Sequence, residues 1–224
     1  MIICNDIFEG DDKQLAEKSF LGIISSLEKA KNSSRSFFLV SSSFVFDRTI
    51  NKEYTEGSKP NGKTPSSLFL IEAEKRVLDY SKGYVYRKQD LFSEIQPLID
   101  KMMAFKEEPV FCEESLRILS NEVYNDVLNY AITQSFGEQK ILHIAVPTKF
   151  PVHTIWFHVK GLPFRISSTN PNFVFKGNIG FISSKILKEF GFYNKFILRN
   201  HKEVLSSLGK LSCIGVENDK ATNP

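Results

Sequence analysis

Between Met1 and Val40 an apolar strand, an amphipathic helix and a second apolar run follow one another, and that order leaves few folds open. Met1-Ile2-Ile3-Cys4 reads as a short strand. From Lys13 to Lys31, Leu15, Ala16, Phe20, Ile23, Ile24 and Leu27 recur at helical spacing, and the polar Asn32-Ser33-Ser34 ends the helix. Ser36 to Val40 is apolar without alternation, as expected of a strand covered on both faces. Strands joined through a helix lie parallel, with the helix as a crossover. The expected fold class is therefore α/β with a parallel sheet.

The rest of the chain continues in kind. Asp47 to Pro65 is a turn-rich loop containing Gly57, Pro60, Gly62 and Pro65. Ser66 to Asp79 is expected to be helical, with Leu70, Ala73, Val77 and Leu78 on one face, and Gly83 to Tyr86 to be a strand. Helices are expected over Glu94 to Lys106 and Glu122 to Gln134, an extended piece at Pro109-Val110-Phe111, and a strand over Lys140 to Val146. After Pro147 the pattern weakens, with helices through Thr154 to Lys160 and Ser183 to Phe190 and a disordered polar tail at 221–224.

Composition removes several functions. The net charge is +3, from 29 basic and 26 acidic residues spread along the chain, with no basic stripe to suit a nucleic acid. The 20 phenylalanines sit inside apolar runs and read as core, not as platforms for bases. Cys4, Cys112 and Cys213 are far apart and lack metal-ligand spacing, and His143, His153, His158 and His201 form no zinc motif, so no metal is expected. No basic leader and no membrane-length apolar stretch occurs, and a soluble cytoplasmic protein is the expectation.

The first stretch to suggest chemistry is Val40-Ser41-Ser42-Ser43-Phe44-Val45-Phe46-Asp47, a buried strand ending in hydroxyls. In α/β sheets ligands bind at the carboxyl ends of strands, so these hydroxyls either face a substrate or satisfy the backbone where the strand stops. The stretch is similar to the Ser-Thr-Asp-Tyr-Val-Phe-Asp segment of the dTDP-4-dehydrorhamnose reductases, in the extended short-chain dehydrogenase/reductase family. The methionine adenosyltransferase regulatory beta subunit, of the same family, shares the likeness. It continues through Tyr54-Thr55-Glu56, the helix ending Glu72-Ala73-Glu74-Lys75-Arg76-Val77-Leu78, and Tyr84-Val85-Tyr86-Arg87. Leu116-Arg117-Ile118-Leu119, Val123 to Val127, Leu142-His143-Ile144, Lys176-Gly177-Asn178 and Ser184 to Gly191 follow in the family's order.

The resemblance implies a partial Rossmann-like parallel sheet lacking its first strands, with a small C-terminal α+β lobe of substrate-binding type. Residues 1–108, with the strand near 140–146, would form the sheet, and 109–220 mainly the lobe. It also shows what differs. The family's Gly-x-x-Gly-x-x-Gly turn, which seats a dinucleotide's pyrophosphate on a helix N-terminus, is absent from this sequence. Ser66 stands where the family has its catalytic Tyr, and Leu70 where it has the Lys that lowers the phenol's pKa. Ile118-Leu119 replaces the family's Pro-Thr.

Ser42 keeps the position of the hydroxyl that contacts the reacting carbonyl. Ser42, Ser43, Arg87 and Arg117 are the implied substrate-side residues, the two arginines serving either a phosphate or carboxylate, or an internal ion pair. The expectation is a non-catalytic homologue that binds a protein partner, itself, or a nucleotide-sugar-like ligand, and takes no cofactor alone. The alternative is an NAD- or NADP-dependent nucleotide-sugar reductase or epimerase whose cofactor half lies outside this chain.

Overall fold

The computed structural model describes residues 1–5, 7–9, 12–47, 53–111, 115–133, 139–167, 169–173, 181–182, 184 and 193–220. The chain is mixed α/β and divides into two compact units. The first takes Met1–Gln89, Asp126–Ala145 and Ile179–Gly191; the second takes Asp90–Asn125, Val146–Asn178 and Phe192–Pro224.

The first unit is built on a four-stranded parallel sheet. Its strands are β1 (Ile2–Cys4), β2 (Phe37–Ser42), β4 (Gly83–Lys88) and β7 (Ile141–Ile144), side by side in that order. A small parallel pair, β3 (Glu53–Tyr54) with β10 (Phe181–Ile182), belongs to the same unit. Two helices supply the main core, α1 (Lys13–Asn32) and α2 (Pro65–Leu78). Asp12 caps α1, its carboxylate accepting from the N–H groups of Gln14 and Leu15 at 2.8 and 3.1 Å. Thr64 caps α2, and Pro65 follows at a first-turn position that needs no N–H donor. Ile23, Leu27 and Ala30 of α1 and Leu70, Ala73 and Val77 of α2 bury against Phe37, Leu39 and Val85. Truncating Leu39 to Ala would cost about 2–5 kcal/mol at such a site. Gly83 is required by space: a Cβ there would stand 1.9 Å from the carbonyl oxygen of Val77, so only glycine lets β4 start so close to the end of α2.

The second unit has its own core. A 3₁₀ turn (Phe92–Ile95) leads into α3 (Gln96–Ala104). Two short ladders follow, β5 (Val110–Phe111) parallel to β9 (Arg165–Ile166) and β6 (Ser115–Arg117) antiparallel to β8 (Lys149–Pro151). The helices α5 (Val152–Lys160) and α6 (Tyr193–Lys220) close it over Leu98, Met102, Phe111, Trp156, Phe173, Val204 and Leu208. Trp156 meets Phe111 edge-on at 5.9 Å, and its indole N–H donates to the Leu162 carbonyl at 3.2 Å, so the ring is buried without an orphan donor. Helix α4 (Asn121–Thr133) has its first turn in this unit and the remainder in the first.

The expected helices and strands before Val146 are present, and β2 runs on to include Ser41 and Ser42. The sequence did not announce β3, β6, β8, β9 or β10, because runs of two or three residues show no period. Helix α6 also escaped. Its inward residues Asn200, Val204 and Leu208 are regularly spaced, but one of them is polar and the remaining surface is mixed. The helix expected through Ser183 to Phe190, the segment Lys176-Gly177-Asn178, Cys112 and the tail at 221–224 lie outside the described residues, Ser184 excepted. No helix among the described residues is long and apolar enough to cross a membrane.

Candidate functional site

β2 ends in Ser41-Ser42 and β4 in Arg87-Lys88, and the ladder sets Ser41 beside Arg87 and Ser42 beside Lys88. Residues in register leave a sheet on the same side and successive residues on opposite sides. The carboxyl end of the sheet therefore carries two different pairs, one on each face.

The Ser41–Arg87 face is a closed polar network. Glu74 lies on the inner side of α2, one turn on from Leu70, and is buried with Arg87, each side chain only 2% exposed. Arg87 donates to it from Nε at 3.0 Å and from Nη2 at 2.7 Å, and the Ser41 hydroxyl donates to Oε1 at 2.5 Å. Arg87 Nη1 stands 3.4 Å from His143 Nε2. A guanidinium only donates, so in this contact the imidazole nitrogen is the acceptor. The guanidinium also lies 5.1 Å from the centre of the Phe46 ring, which stacks on Tyr54 at 4.3 Å. Glu56 completes the surround, accepting from the His143 N–H at 3.3 Å and the Ser184 hydroxyl at 2.6 Å. A buried guanidinium requires a carboxylate and satisfied N–H groups, and this one has both.

The Ser42–Lys88 face is built differently. Ser42 Oγ accepts from the Phe44 N–H at 3.2 Å and so starts the 3₁₀ turn Ser43–Val45. The Lys88 ammonium lies 3.2 Å from Glu9 Oε1, in the segment between β1 and α1. The Phe8 N–H of that segment donates to Ser19 Oγ at 3.1 Å.

Ser42, Ser43 and Arg87 all lie buried in the first unit, with Ser42 and Arg87 on opposite faces of the sheet, while the buried Arg117 ends β6 in the second. Arg87 is in the internal ion pair that its residue type allowed, so an external anion reaching it would have to displace Glu74. Ser66 is 2% and Leu70 4% exposed. Leu70 is part of the apolar core, and both border a cavity of about 10 Å³, room for no more than one water, lined also by Ile7, Phe8 and Phe20. On the loop after β2, the Asp47 carboxylate pairs with Lys63 at 3.2 Å and the Asp47 carbonyl accepts from the Tyr54 hydroxyl at 3.2 Å.

Two ionisations are displaced. Burial, with the neighbouring Tyr84 second, pushes the Tyr86 phenol up to about 12, and its hydroxyl donates to the Ala131 carbonyl at 3.2 Å. Glu72, on the exposed side of α2, is held below the usual carboxylate range, first by the hydrogen bond from Arg76 at 2.9 Å. The described residues contain no group of three or more His, Cys, Asp or Glu able to hold a metal. Sequence reasoning overlooked Glu74 as the partner of Arg87. The available signal was its place on the inward face of α2 together with an arginine in a strand covered on both sides.

No protein-family model and no curated protein matches the chain. Solved structures do. The dTDP-4-dehydrorhamnose reductase of Bacillus anthracis, in complex with NADP, superposes with a TM-score of 0.65 at 15% identity, over 90% of this chain and 80% of that one. A short-chain dehydrogenase/reductase superfamily protein of Agrobacterium tumefaciens with bound NAD gives 0.69 at 10% identity, over 98% and 81%. The dTDP-glucose 4,6-dehydratase of Streptomyces venezuelae, with NAD and TYD bound, gives 0.62 at 12% identity, over 90% and 71%.

Proposed function

We propose that this chain, which has the fold of the dTDP-4-dehydrorhamnose reductases and other short-chain dehydrogenase/reductase superfamily enzymes, is a homologue that binds a nucleotide-sugar-like ligand or a protein partner without performing hydride transfer. The observation that carries this reading is the inner face of α2. Where the resemblance places a phenol and an ammonium, Ser66 and Leu70 stand buried, and Leu70 is part of the apolar core. A serine hydroxyl has an ordinary pKa far above neutrality, and leucine offers no charge to lower it, so no proton passes to or from a carbonyl there. The adjoining cavity of about 10 Å³ has no room for a sugar ring. These residues do not fit a reductase's proton-transfer step.

Ser42 and Ser43 are the hydroxyls of this reading nearest a ligand at the carboxyl end of β2. A protein partner, or a second copy of the chain, is the other occupant it admits, and the exposed Leu15, Leu21 and Leu68 of α1 and α2 offer apolar surface to it. The test is a thermal-shift comparison of the full chain with dTDP- and UDP-sugars, NADH and NADPH. A ligand of the folded state raises the midpoint. A rise with at least one nucleotide sugar and none with either dinucleotide is expected. A rise with NADPH or NADH contradicts the reading and favours a reductase or epimerase.

A further inference from the structure

Helices α1 and α2 hold between them, within the first unit, an open groove of about 520 Å³. A volume of that size accommodates a small organic molecule. Its apolar lining is Phe20 and Phe69, with ring centres 5.6 Å apart, together with Pro65 and Leu68. Its charged lining is Lys13, Glu72 and Arg76. Glu72 and Arg76 neutralise each other through a contact of 2.9 Å, and the guanidinium lies 5.3 Å from the centre of the Phe20 ring. Lys13 makes no ion pair with a described residue, so its ammonium is the unbalanced charge of the groove. The position of that charge matters. α1 and α2 are successive crossovers between parallel strands and therefore run in the same direction. Lys13 and Pro65 are their first residues, so this end of the groove lies at two helix N-termini, whose partial positive charge adds to the ammonium. The Asp12 carboxylate at the same end is engaged by the N–H groups of Gln14 and Leu15. Phe20 stands two turns, roughly 10 Å, further along α1. The groove is thus apolar in its body and positive at one end.

We infer that this groove binds a small amphipathic carboxylate of the fatty-acid type, with its apolar chain against Phe20, Phe69 and Leu68 and its carboxylate at Lys13. Removing the chain from water supplies the affinity, and the ammonium with the two helix ends sets the ligand's direction. A cationic amphiphile of equal chain length keeps the first contribution and loses the second. Headgroup charge therefore decides between ligands of one length. The inference goes beyond the nucleotide-sugar reading, because the groove is lined by neither Ser42 nor Ser43 and neither site needs the other.

The test is calorimetric titration of the full chain, of Lys13→Met and of Leu68→Gln with decanoate and, separately, with decyltrimethylammonium, both kept below micelle-forming concentrations. The unsubstituted chain is expected to bind decanoate about tenfold more tightly than the cation. Lys13→Met should remove most of that preference. Leu68→Gln changes a side chain already 58% exposed, so it should leave the melting temperature in place while weakening both ligands several-fold. Equal affinity of the unsubstituted chain for the two amphiphiles overturns the inference, as does a preference that survives Lys13→Met. Decanoate affinity unchanged in Leu68→Gln overturns it too. Sedimentation tests the other occupant. A dimer of the unsubstituted chain that becomes a monomer in Leu68→Gln assigns the groove to a second copy and overturns the inference; the same species with and without the substitution supports it.

Discussion

The two ion pairs at the carboxyl end of the sheet share charges and surroundings but not construction. Glu74 and Arg87 come from a helix and a central strand, meet through two parallel hydrogen bonds, and are both 2% exposed. Glu9 and Lys88 lie 3.2 Å apart, with the carboxylate outside helix and strand and 17% exposed. A bidentate pair fixed at both backbones has one geometry and loses most of its value if either partner is removed. The first pair is therefore expected to contribute more to stability than the second.

Removing one partner of each pair tests that difference. Glu74→Ala leaves Arg87 buried against a void, and a loss of about 3–5 kcal/mol is expected, read from the urea midpoint. Lys88→Met leaves a carboxylate that can swing out to water, and the loss should be about 1–2 kcal/mol. Equal losses would erase the distinction. Tyr86, the residue before Arg87, reports on the same strand without touching either pair's charge. Its phenol is raised in the folded protein, so its contribution to stability is whole below the ordinary value near 10 and fades as pH rises through about 12. Tyr86→Phe should flatten that alkaline decline, and an ultraviolet titration should place the phenol's midpoint near 12. The smallest effect belongs to Glu72 and Arg76, an exposed pair four residues apart on α2. Glu72→Gln should leave the melting temperature unchanged within error, whereas a shift like that of Lys88→Met would show that exposure is a poor guide here.

Much of the first unit was legible in the sequence. The order of β1, α1, β2, α2 and β4 follows from long periodic runs with caps at Asp12 and Thr64, and the hydroxyls at the end of β2 pointed to the carboxyl end of the sheet. The pairings that define the site were not legible, because they join residues brought together only by the crossovers. Glu74 looked like one of two carboxylates on a helix until the strand beneath it was known to present Arg87. Nothing in the neighbourhood of Glu9 marks it as the counter-ion of a lysine at the end of a strand far along the chain. In the second unit the ladders are two or three residues long, and α6 hides its inward stripe behind Asn200.

The central claim concerns Ser66 and Leu70, and one assay reaches it directly. Purified full chain, given NADPH and a dTDP-4-keto-sugar, should oxidise the dinucleotide no faster than a protein-free control. Turnover above trace rates, abolished by heat-unfolding the chain, would contradict the account, because it would require a proton donor that Ser66 and Leu70 do not supply.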